Sequence, residues 1–300
     1  MSESRTPLSS DRRGDGQEHS GQSGRTRKLR VLRGLCPEAY QHPLDTEAIE
    51  KLKKVPGFEM LTRKLWDLGF DRMLSVSNLA SLIRLGPNQY PDVHRRVNIA
   101  ATVLDVPRPE VYLELDPTPN AYANGVHKPM IVLTTGLVES FTPAQVFGVI
   151  SHELGHIKSG HVFYGSMAQN IAFITAIISE VTLGLGGILG TGLQLALLEW
   201  YRKSEFTADR AALLAVQDID TALSVIMQLC GAHVIPKEQR STQEFMAQGR
   251  ELEGEADNLN RFWKWMILLG RTHPFSVLRA TELLKWHDSG EYQRLLSTAS

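Results

Sequence analysis

The chain has 300 residues, of which 42% are hydrophobic, and its formal net charge at pH 7 is −1. This length and apolar content allow a sizeable folded core, and the near-neutral charge argues against a nucleic-acid-binding surface. Cys36 and Cys230 are the two cysteines of the chain, too few for a disulfide framework or a thiolate metal site. Any metal ion must therefore be bound by histidine and carboxylate side chains.

The first 30 residues have the composition of a disordered arm. Met1, Leu8 and Leu29 are the large apolar residues of this segment, which cannot bury enough surface to fold. The segment also lacks the apolar central region of a signal peptide, so we expect the protein to be cytoplasmic. We predict that residues 31–300 form a single domain.

Residues 31–90 are predicted to form a helical cover over the rest of this domain. Leu44–Leu68 has the apolar spacing of one or two helices, with Asp45 or Thr46 as the N-cap. Ser75–Leu85 is predicted to be another short helix. We assign no chemistry to any residue of this cover.

A small sheet is predicted after the amphipathic helix Pro91–Leu104, where the apolar period changes to two. Val111–Leu115 and Met130–Thr134 are predicted strands, and Asn120–Ala123 is a shorter strand between them. The dipeptide Asn124-Gly125 favours a hairpin, so we expect an antiparallel sheet. Its short strand is either an ordinary hairpin strand or an edge that pairs with an extended peptide.

The most informative stretch is His152-Glu153-Leu154-Gly155-His156, which has the pattern H-E-x-x-H. Two histidines four residues apart lie on one face of a helix and can bind one metal ion, while the glutamate between them can act on a metal-bound water. Thr142 and Gln145 form a predicted capping box around Pro143, and Gly160 is suited to the C-terminal end. These signals place the motif on a helix rather than in a loop.

A catalytic zinc ion usually has three protein ligands, so one more ligand is required. An in-line third histidine would stand at Val162; His161 is one residue early, and we interpret it as a helix-end residue or a partner of a ligand. Glu180 and Glu205 are the alternatives. We favour Glu205 because Asp209, four residues later on the same helix face, could accept the far N–H of a ligand histidine. Two histidines and one glutamate fit zinc best.

Together these motifs resemble the HtpX-like and CAAX prenyl protease class of gluzincin metallopeptidases. The likeness runs from about Pro91 to Leu284, and four elements carry it: the H-E-x-x-H stretch, Ser204-Glu205-Phe206-Thr207-Ala208-Asp209-Arg210, Asn120-Ala121-Tyr122-Ala123 and Thr272-His273-Pro274. The resemblance implies that His152, His156 and Glu205 bind one zinc ion. It also implies that Glu153 is the catalytic base, that Asn120–Ala123 is the substrate-side edge strand, and that His273 lies near the substrate oxyanion.

The expected fold is α+β, mostly α, with a zincin-like core in residues 91–300 and the small antiparallel sheet packed on the motif helix. The expected function is that of a zinc-dependent metalloendopeptidase of protein or peptide substrates, in which Glu153 is the general base on the zinc-bound water. A zinc-stabilised scaffold protein on the same fold is the alternative, against which the intact Glu153 argues. A prenyl-peptide protease would need several membrane spans that this sequence does not contain.

The stretch Ile171–Leu198 is apolar, and Glu180 is its only charged residue. A single membrane crossing would place His156 and Glu205 on opposite sides, and two crossings would need roughly 40 apolar residues. We therefore predict a helical hairpin with arms at about 167–181 and 191–202. It lies either in the protein core or at a shallow membrane contact, which we expect at the cytoplasmic face.

Overall fold

The computed structural model describes residues 28–181, 186–258 and 276–298. The α-helices of these residues, numbered in chain order, are α1 Pro43–Lys53, α2 Phe58–Asp67, α3 Phe70–Ser81, α4 Pro91–Leu104, α5 Thr135–Ser140, α6 Pro143–Lys158, α7 Val162–Gln169, α8 Ile171–Val181, α9 Gly186–Val216, α10 Ile219–Leu229, α11 Thr242–Asn258, α12 Ser276–Asp288 and α13 Glu291–Ser297. The strands are β1 Ile83–Leu85, β2 Glu110–Glu114, β3 Ala121–Asn124 and β4 Met130–Thr134. The predicted class, mostly helical with one small sheet, is confirmed.

The sheet is mixed, so the prediction of an antiparallel sheet is wrong. The strand order is β1-β2-β4-β3, in which β4 pairs antiparallel with β3 across the predicted hairpin and parallel with β2. The chain reverses direction into β3 and again into β4, which inserts between β2 and β3 and therefore runs parallel to β2. All five residues of β4 are buried, and a continuous apolar run is typical of a strand with a neighbour on each side.

The strand β1 occupies the end of a segment that we predicted as helix. Helix α3 ends at Ser81, and Ile83–Leu85 instead pairs antiparallel with β2. The apolar pattern of this short segment suits either structure, and pairing with the outer side of β2 decides between them. Strand β3 lies at the opposite edge of the sheet among the described strands.

Helices α6 and α9 approach each other closely at the centre of the fold. A Cβ placed on Gly155 would lie 2.6 Å from the Cβ of Ala211 and 3.1 Å from the Cα of Ala208. Since real Cβ atoms do not come so near, the glycine and the two alanines permit this approach.

The helical cover begins differently from the prediction. His42, rather than Asp45 or Thr46, caps α1, because its Nδ1 accepts a hydrogen bond from the Leu44 N–H at 3.2 Å. Asp45 instead points inward and is completely buried. Apolar side chains of α1 and α2 pack with α7, α8 and the first half of α9 in a common core cluster.

Helices α8 and α9 occupy the segment predicted as a helical hairpin and pack against each other, but their bounds differ from those of the predicted arms. The first arm is interrupted at Asn170, between α7 and α8, and the second continues through Glu205 to Val216. Ile174 and Leu193 are buried in the core between the helices, so part of the apolar run is core. In the residues that the structure describes, no helix has the length and apolar character needed to cross a membrane.

Two sequence predictions fall largely outside the described residues. They are the arm, of which residues 1–27 lie outside, and the element Thr272-His273-Pro274. At the end of the predicted arm, the backbone N–H and C=O of Arg30 form hydrogen bonds of 3.0 and 2.7 Å with the side chain of Gln217.

Candidate metal centre

Helix α6 positions the H-E-x-x-H motif, and both of its ends have the predicted caps. The Thr142 hydroxyl accepts a hydrogen bond from the Gln145 N–H, and the Gln145 side chain accepts one from the Thr142 N–H. Gly160 adopts a φ of +72° just beyond the C-terminal end, a conformation that glycine reaches without steric cost. The helix is therefore fixed at both ends, with its histidines turned inward.

His152, His156 and Glu205 converge on one point between α6 and α9. The Nε2 atoms of the two histidines are 3.2 Å apart, and the Glu205 carboxylate oxygens lie 3.5 Å from His152 Nε2 and 3.4 Å from His156 Nε2. All three side chains are buried. In the described part of the chain, they form the one group of His, Cys, Asp and Glu ligand atoms close enough to hold a metal ion.

The spacing of these three ligand groups suits a small tetrahedral ion. Ligand atoms about 2.0–2.1 Å from such an ion are separated from each other by about 3.3 Å. The two Nε2 atoms are 3.2 Å apart, close to this value, and each of them has a different Glu205 oxygen at a similar distance, 3.5 Å for His152 and 3.4 Å for His156. The residues present therefore fit the metal that the sequence pattern indicates.

Asp209 and Arg279 contact the candidate ligand side chains on the side away from the point where these converge. Asp209 Oδ1 lies 3.0 Å from His152 Nδ1, the nitrogen that faces away from the ligand cluster. The guanidinium of Arg279, on α12, donates to both oxygens of Asp209 at 2.7 and 2.6 Å. Its Nη1 also lies 2.9 Å from Glu205 Oε2, so two buried carboxylates share one guanidinium charge.

Comparison with known proteins decides the family. The family model described as Peptidase family M48 matches residues 87–287. The chain belongs to this family. It is 30% identical over 276 residues to "Plastoglobule-localized metallopeptidase 48, chloroplastic" of Arabidopsis thaliana, a match that covers 90% of this chain and 78% of that protein.

Microbial relatives show the same relationship. The "Protease HtpX homolog" of Moorella thermoacetica is 27% identical over 203 residues, which cover 59% of this chain and 67% of that protein. The "Protease HtpX homolog 2" of Methanosarcina acetivorans is 27% identical over 166 residues, which cover 48% of this chain and 56% of that protein. No solved structure matches the chain. The predicted resemblance is confirmed, and so is the predicted class of enzyme, a metallopeptidase that hydrolyses peptide bonds.

The pKa values of His152 and His156 in this M48 peptidase are shifted in opposite directions when no metal is bound. Burial opposes protonation of His152, but its hydrogen bonds with Asp209 and Glu205 outweigh burial and raise its pKa to about 10. Burial lowers the pKa of His156 to about 4, so its ring is neutral at pH 7. Burial acts to raise the pKa of Asp209, yet the adjacent Arg279 charge dominates and lowers it. A metal ion must therefore displace a proton from His152 but not from His156.

A cavity of about 380 Å³ opens in front of the ligand cluster of the M48 peptidase. Its lining residues are Thr118, Pro119, Asn120, Ala121, Val149, His152, Glu153, His156, Tyr201, Glu205, Leu229, Ser276 and Arg279. Glu153 is buried on this wall. Of the predicted substrate strand, Asn120 and Ala121 reach the cavity, whereas the Tyr122 hydroxyl bonds to Glu114 and Ala123 is buried.

We did not predict from the sequence that Arg279, Asp45 and Tyr201 lie around the candidate metal centre. Arg279 lies in an amphipathic helix and resembles a surface arginine; the available signal was that two buried carboxylates one helical turn apart require a cation. Asp45 was interpreted as a helix cap. Tyr201, one turn before Glu205, was not considered, although its buried ring stacks on His156 with 6.4 Å between the ring centroids.

Proposed function

We propose that this M48 peptidase is a zinc-dependent endopeptidase of gluzincin type, with His152, His156 and Glu205 as the metal ligands. The observation that carries the proposal is the convergence of their three buried ligand groups at 3.2–3.5 Å. Zinc is favoured over other divalent ions because two imidazoles and one carboxylate are ligands that it prefers. One ion per chain is expected.

Bound in this cluster, the metal supplies Lewis-acid chemistry, which polarises a peptide carbonyl and lowers the pKa of a water molecule. Glu153 lies on the cavity wall next to His152 and takes the proton as water attacks the scissile carbon. The same carboxyl group then delivers the proton to the leaving amine. Asp209 and Arg279 keep His152 and Glu205 in orientation during this exchange.

His273 is proposed to stabilise the substrate oxyanion. Its side chain lies outside the described residues, but Ser276, three residues later, lines the cavity. The proposed role rests on the resemblance of Thr272-His273-Pro274 to the family element.

The substrate is proposed to be a protein or peptide that lies extended along β3. Strand β3 is at the edge of the sheet, and Asn120 and Ala121 lead into the cavity that contains Glu153. An added strand would gain main-chain hydrogen bonds from this edge, an interaction that depends little on side-chain identity. Such binding supports cleavage within a chain rather than at its ends.

A cleavage assay tests the proposed function. Casein or a quenched peptide is incubated with purified protein, with and without a chelator, beside the Glu153→Gln variant. We expect cleavage that the chelator abolishes and zinc restores, while Glu153→Gln retains the metal without cleavage. Appreciable cleavage by that variant would contradict the role of Glu153, and no cleavage by the loaded wild-type protein would favour the scaffold alternative.

We also propose a peripheral lipid contact near the predicted segment 171–198, while the cytoplasmic location remains a prediction. Phe173 on α8 is 43% exposed and stacks on Phe70 at 5.8 Å. Further along α3, Val76 and Leu79 are 55% and 57% exposed. Residues 51–84 contain seven Lys or Arg and three Asp or Glu, an excess that favours an anionic surface. The relative from Arabidopsis is named as plastoglobule-localized.

Vesicle flotation tests the lipid contact. Wild-type protein should float with vesicles that contain phosphatidylglycerol, and the Val76→Glu/Leu79→Glu variant should not. Val234→Glu is the matched control, since Val234 is 78% exposed and lies beside α10, which packs on α6, α9, α11 and α12 rather than on α3. Equal flotation of all three proteins would contradict the proposed surface. Self-association that Val76→Glu/Leu79→Glu abolishes, without flotation, would assign the surface to a second copy of the chain instead.

A further inference from the structure

We propose that Asp45 and His161 form a buried chain of contacts that orients His156 for metal binding. The inference rests on the proposed function, since it concerns the same metal site. It adds a residue from α1, outside the segment that matches the family model, to the machinery of that site.

The three side chains follow one another at contact distance. His161 Nδ1 lies 3.1 Å from His156 Nδ1, and His161 Nε2 lies 3.1 Å from Asp45 Oδ2. The second contact is within ion-pair distance, although its angle falls short of a well-aligned hydrogen bond. All three side chains are buried, and Asp45 is completely inaccessible to solvent. Water therefore does not compete for these contacts.

Metal binding at His156 determines where the protons lie on the side chains of His156 and His161. A His156 that offers its Nε2 lone pair to a metal ion carries its proton on Nδ1 and donates it to His161 Nδ1. His161 must then carry its own proton on Nε2, where it faces the Asp45 carboxylate. The carboxylate thus favours the one arrangement of protons that leaves the His156 lone pair directed at the metal.

Asp45 is itself held firmly. Its Oδ1 accepts a hydrogen bond from Trp200 Nε1 at 3.0 Å, and its Oδ2 accepts one from the Thr207 hydroxyl at 2.7 Å. Both donors belong to α9, the helix that carries Glu205. A carboxylate fixed to the helix of the third ligand can hold His161, and through it His156, at a constant position relative to that ligand.

The two ligand histidines are therefore supported in parallel ways. His152 contacts the Asp209 carboxylate directly, at 3.0 Å, while His156 reaches the Asp45 carboxylate through one intervening imidazole. This arrangement explains why an aspartate without solvent access and a buried histidine lie behind the metal cluster. If Asp45 served only to fasten α1 to α9, its hydrogen bonds from Trp200 and Thr207 would be explained. The position of His161 between Asp45 and His156 would not be.

Zinc affinity of the folded protein separates positioning from simple fastening. It is measured by competition with a chelating dye for wild type, Asp45→Asn, His161→Leu and the double variant. We expect each single variant to bind zinc about tenfold more weakly, as when partners of metal ligands are removed. The double variant should bind no more weakly than His161→Leu, because Asp45 acts through His161. Losses that multiply in the double variant, or unchanged affinity in both single variants, would overturn the proposal.

Two further variants keep the test independent of folding. His161→Gln retains a donor and an acceptor and should bind zinc more tightly than His161→Leu; equal loss in both would contradict the positioning role. Asn78→Leu is the matched control, since Asn78 is also buried in the cover and donates to Asn124 at 3.1 Å, away from the metal cluster. It should lower the melting temperature of the metal-free protein and leave zinc affinity unchanged.

A spectroscopic readout complements the affinities. With cobalt in place of zinc, the visible absorption bands of His161→Leu should shift relative to those of wild type, and those of Asn78→Leu should not. Wild-type protein that binds no metal and cleaves nothing would contradict the proposed function itself. Wild-type protein that binds and cleaves, beside variants with unaltered affinity and spectra, would contradict the positioning role alone.

Discussion

The guanidinium of Arg279 lies 2.9 Å from the carboxylate of Glu205, and both side chains are buried. Asp209 lies against the same guanidinium, so removal of Arg279 would leave two buried carboxylates to share the charge of protonated His152. Breaking a buried pair in this way costs about 3–5 kcal/mol. We expect Arg279→Met to lower the free energy of unfolding of the metal-free protein by that amount in a denaturant titration.

Arg84→Met is the matched control for this substitution. Arg84 pairs with Glu110 at 3.3 Å, but its side chain is exposed to solvent. Exposed pairs contribute about 0–1 kcal/mol. Equal losses in Arg84→Met and Arg279→Met would contradict the importance of the buried cluster.

Gly155→Ala should separate the two helices that bear the ligands. The new methyl group would stand 2.6 Å from the Cβ of Ala211, and overpacking of this kind costs about 1–3 kcal/mol. Because Glu205 lies on the displaced helix, zinc affinity should fall together with the melting temperature. Gly192→Ala is the control: nothing lies within 4 Å of a Cβ at that position on α9, so the protein should gain about 0.5–1 kcal/mol. A stable Gly155→Ala variant with wild-type zinc affinity would contradict the close approach.

Zinc affinity should depend on pH through His152. Its pKa in the metal-free protein is raised to about 10, so below that pH the metal competes with a proton, whereas His156, with a pKa of about 4, is already neutral. One proton released per ion makes the apparent affinity rise about tenfold per pH unit between about pH 6 and pH 9. Dye competition at several pH values measures the slope.

Asp209→Asn tests the cause of this pH dependence. The variant removes the carboxylate charge that helps to raise the pKa of His152, so the affinity should change less steeply with pH. A slope as steep as that of wild type would contradict the assignment of the released proton to His152.

Residues related by short sequence spacing were predictable, because local geometry fixes their relationship. The i, i+4 spacing places His152 beside His156 and Asp209 beside the ligand position Glu205, and the capping box fixes the start of their helix. The surroundings of the candidate metal centre also include residues that are far apart in the chain. Arg279 reaches it from α12 and Asp45 from α1, and neither position carries a local signal for that role.

The sheet illustrates the same limit. The β3–β4 hairpin that the Asn-Gly signal predicts is confirmed, although Asn124 pairs with Met130 as part of β3 and Gly125 alone of the two has a positive φ, at the start of a longer loop. Parallel pairing of β2 with β4 depends on which strand inserts beside which, and pairing of Ile83–Leu85 with β2 depends on a neighbour met only in the folded chain. Tertiary contacts decide both outcomes, and periodicity alone does not distinguish them.

Metal content measured on purified wild-type protein and on two glutamate variants tests the central claim most directly. Wild type and Glu180→Gln should each retain about one zinc ion per chain, because Glu180 was the rejected alternative, whereas Glu205→Gln should lose it. Full zinc content in Glu205→Gln, or loss of zinc from Glu180→Gln, would contradict the proposed ligand set.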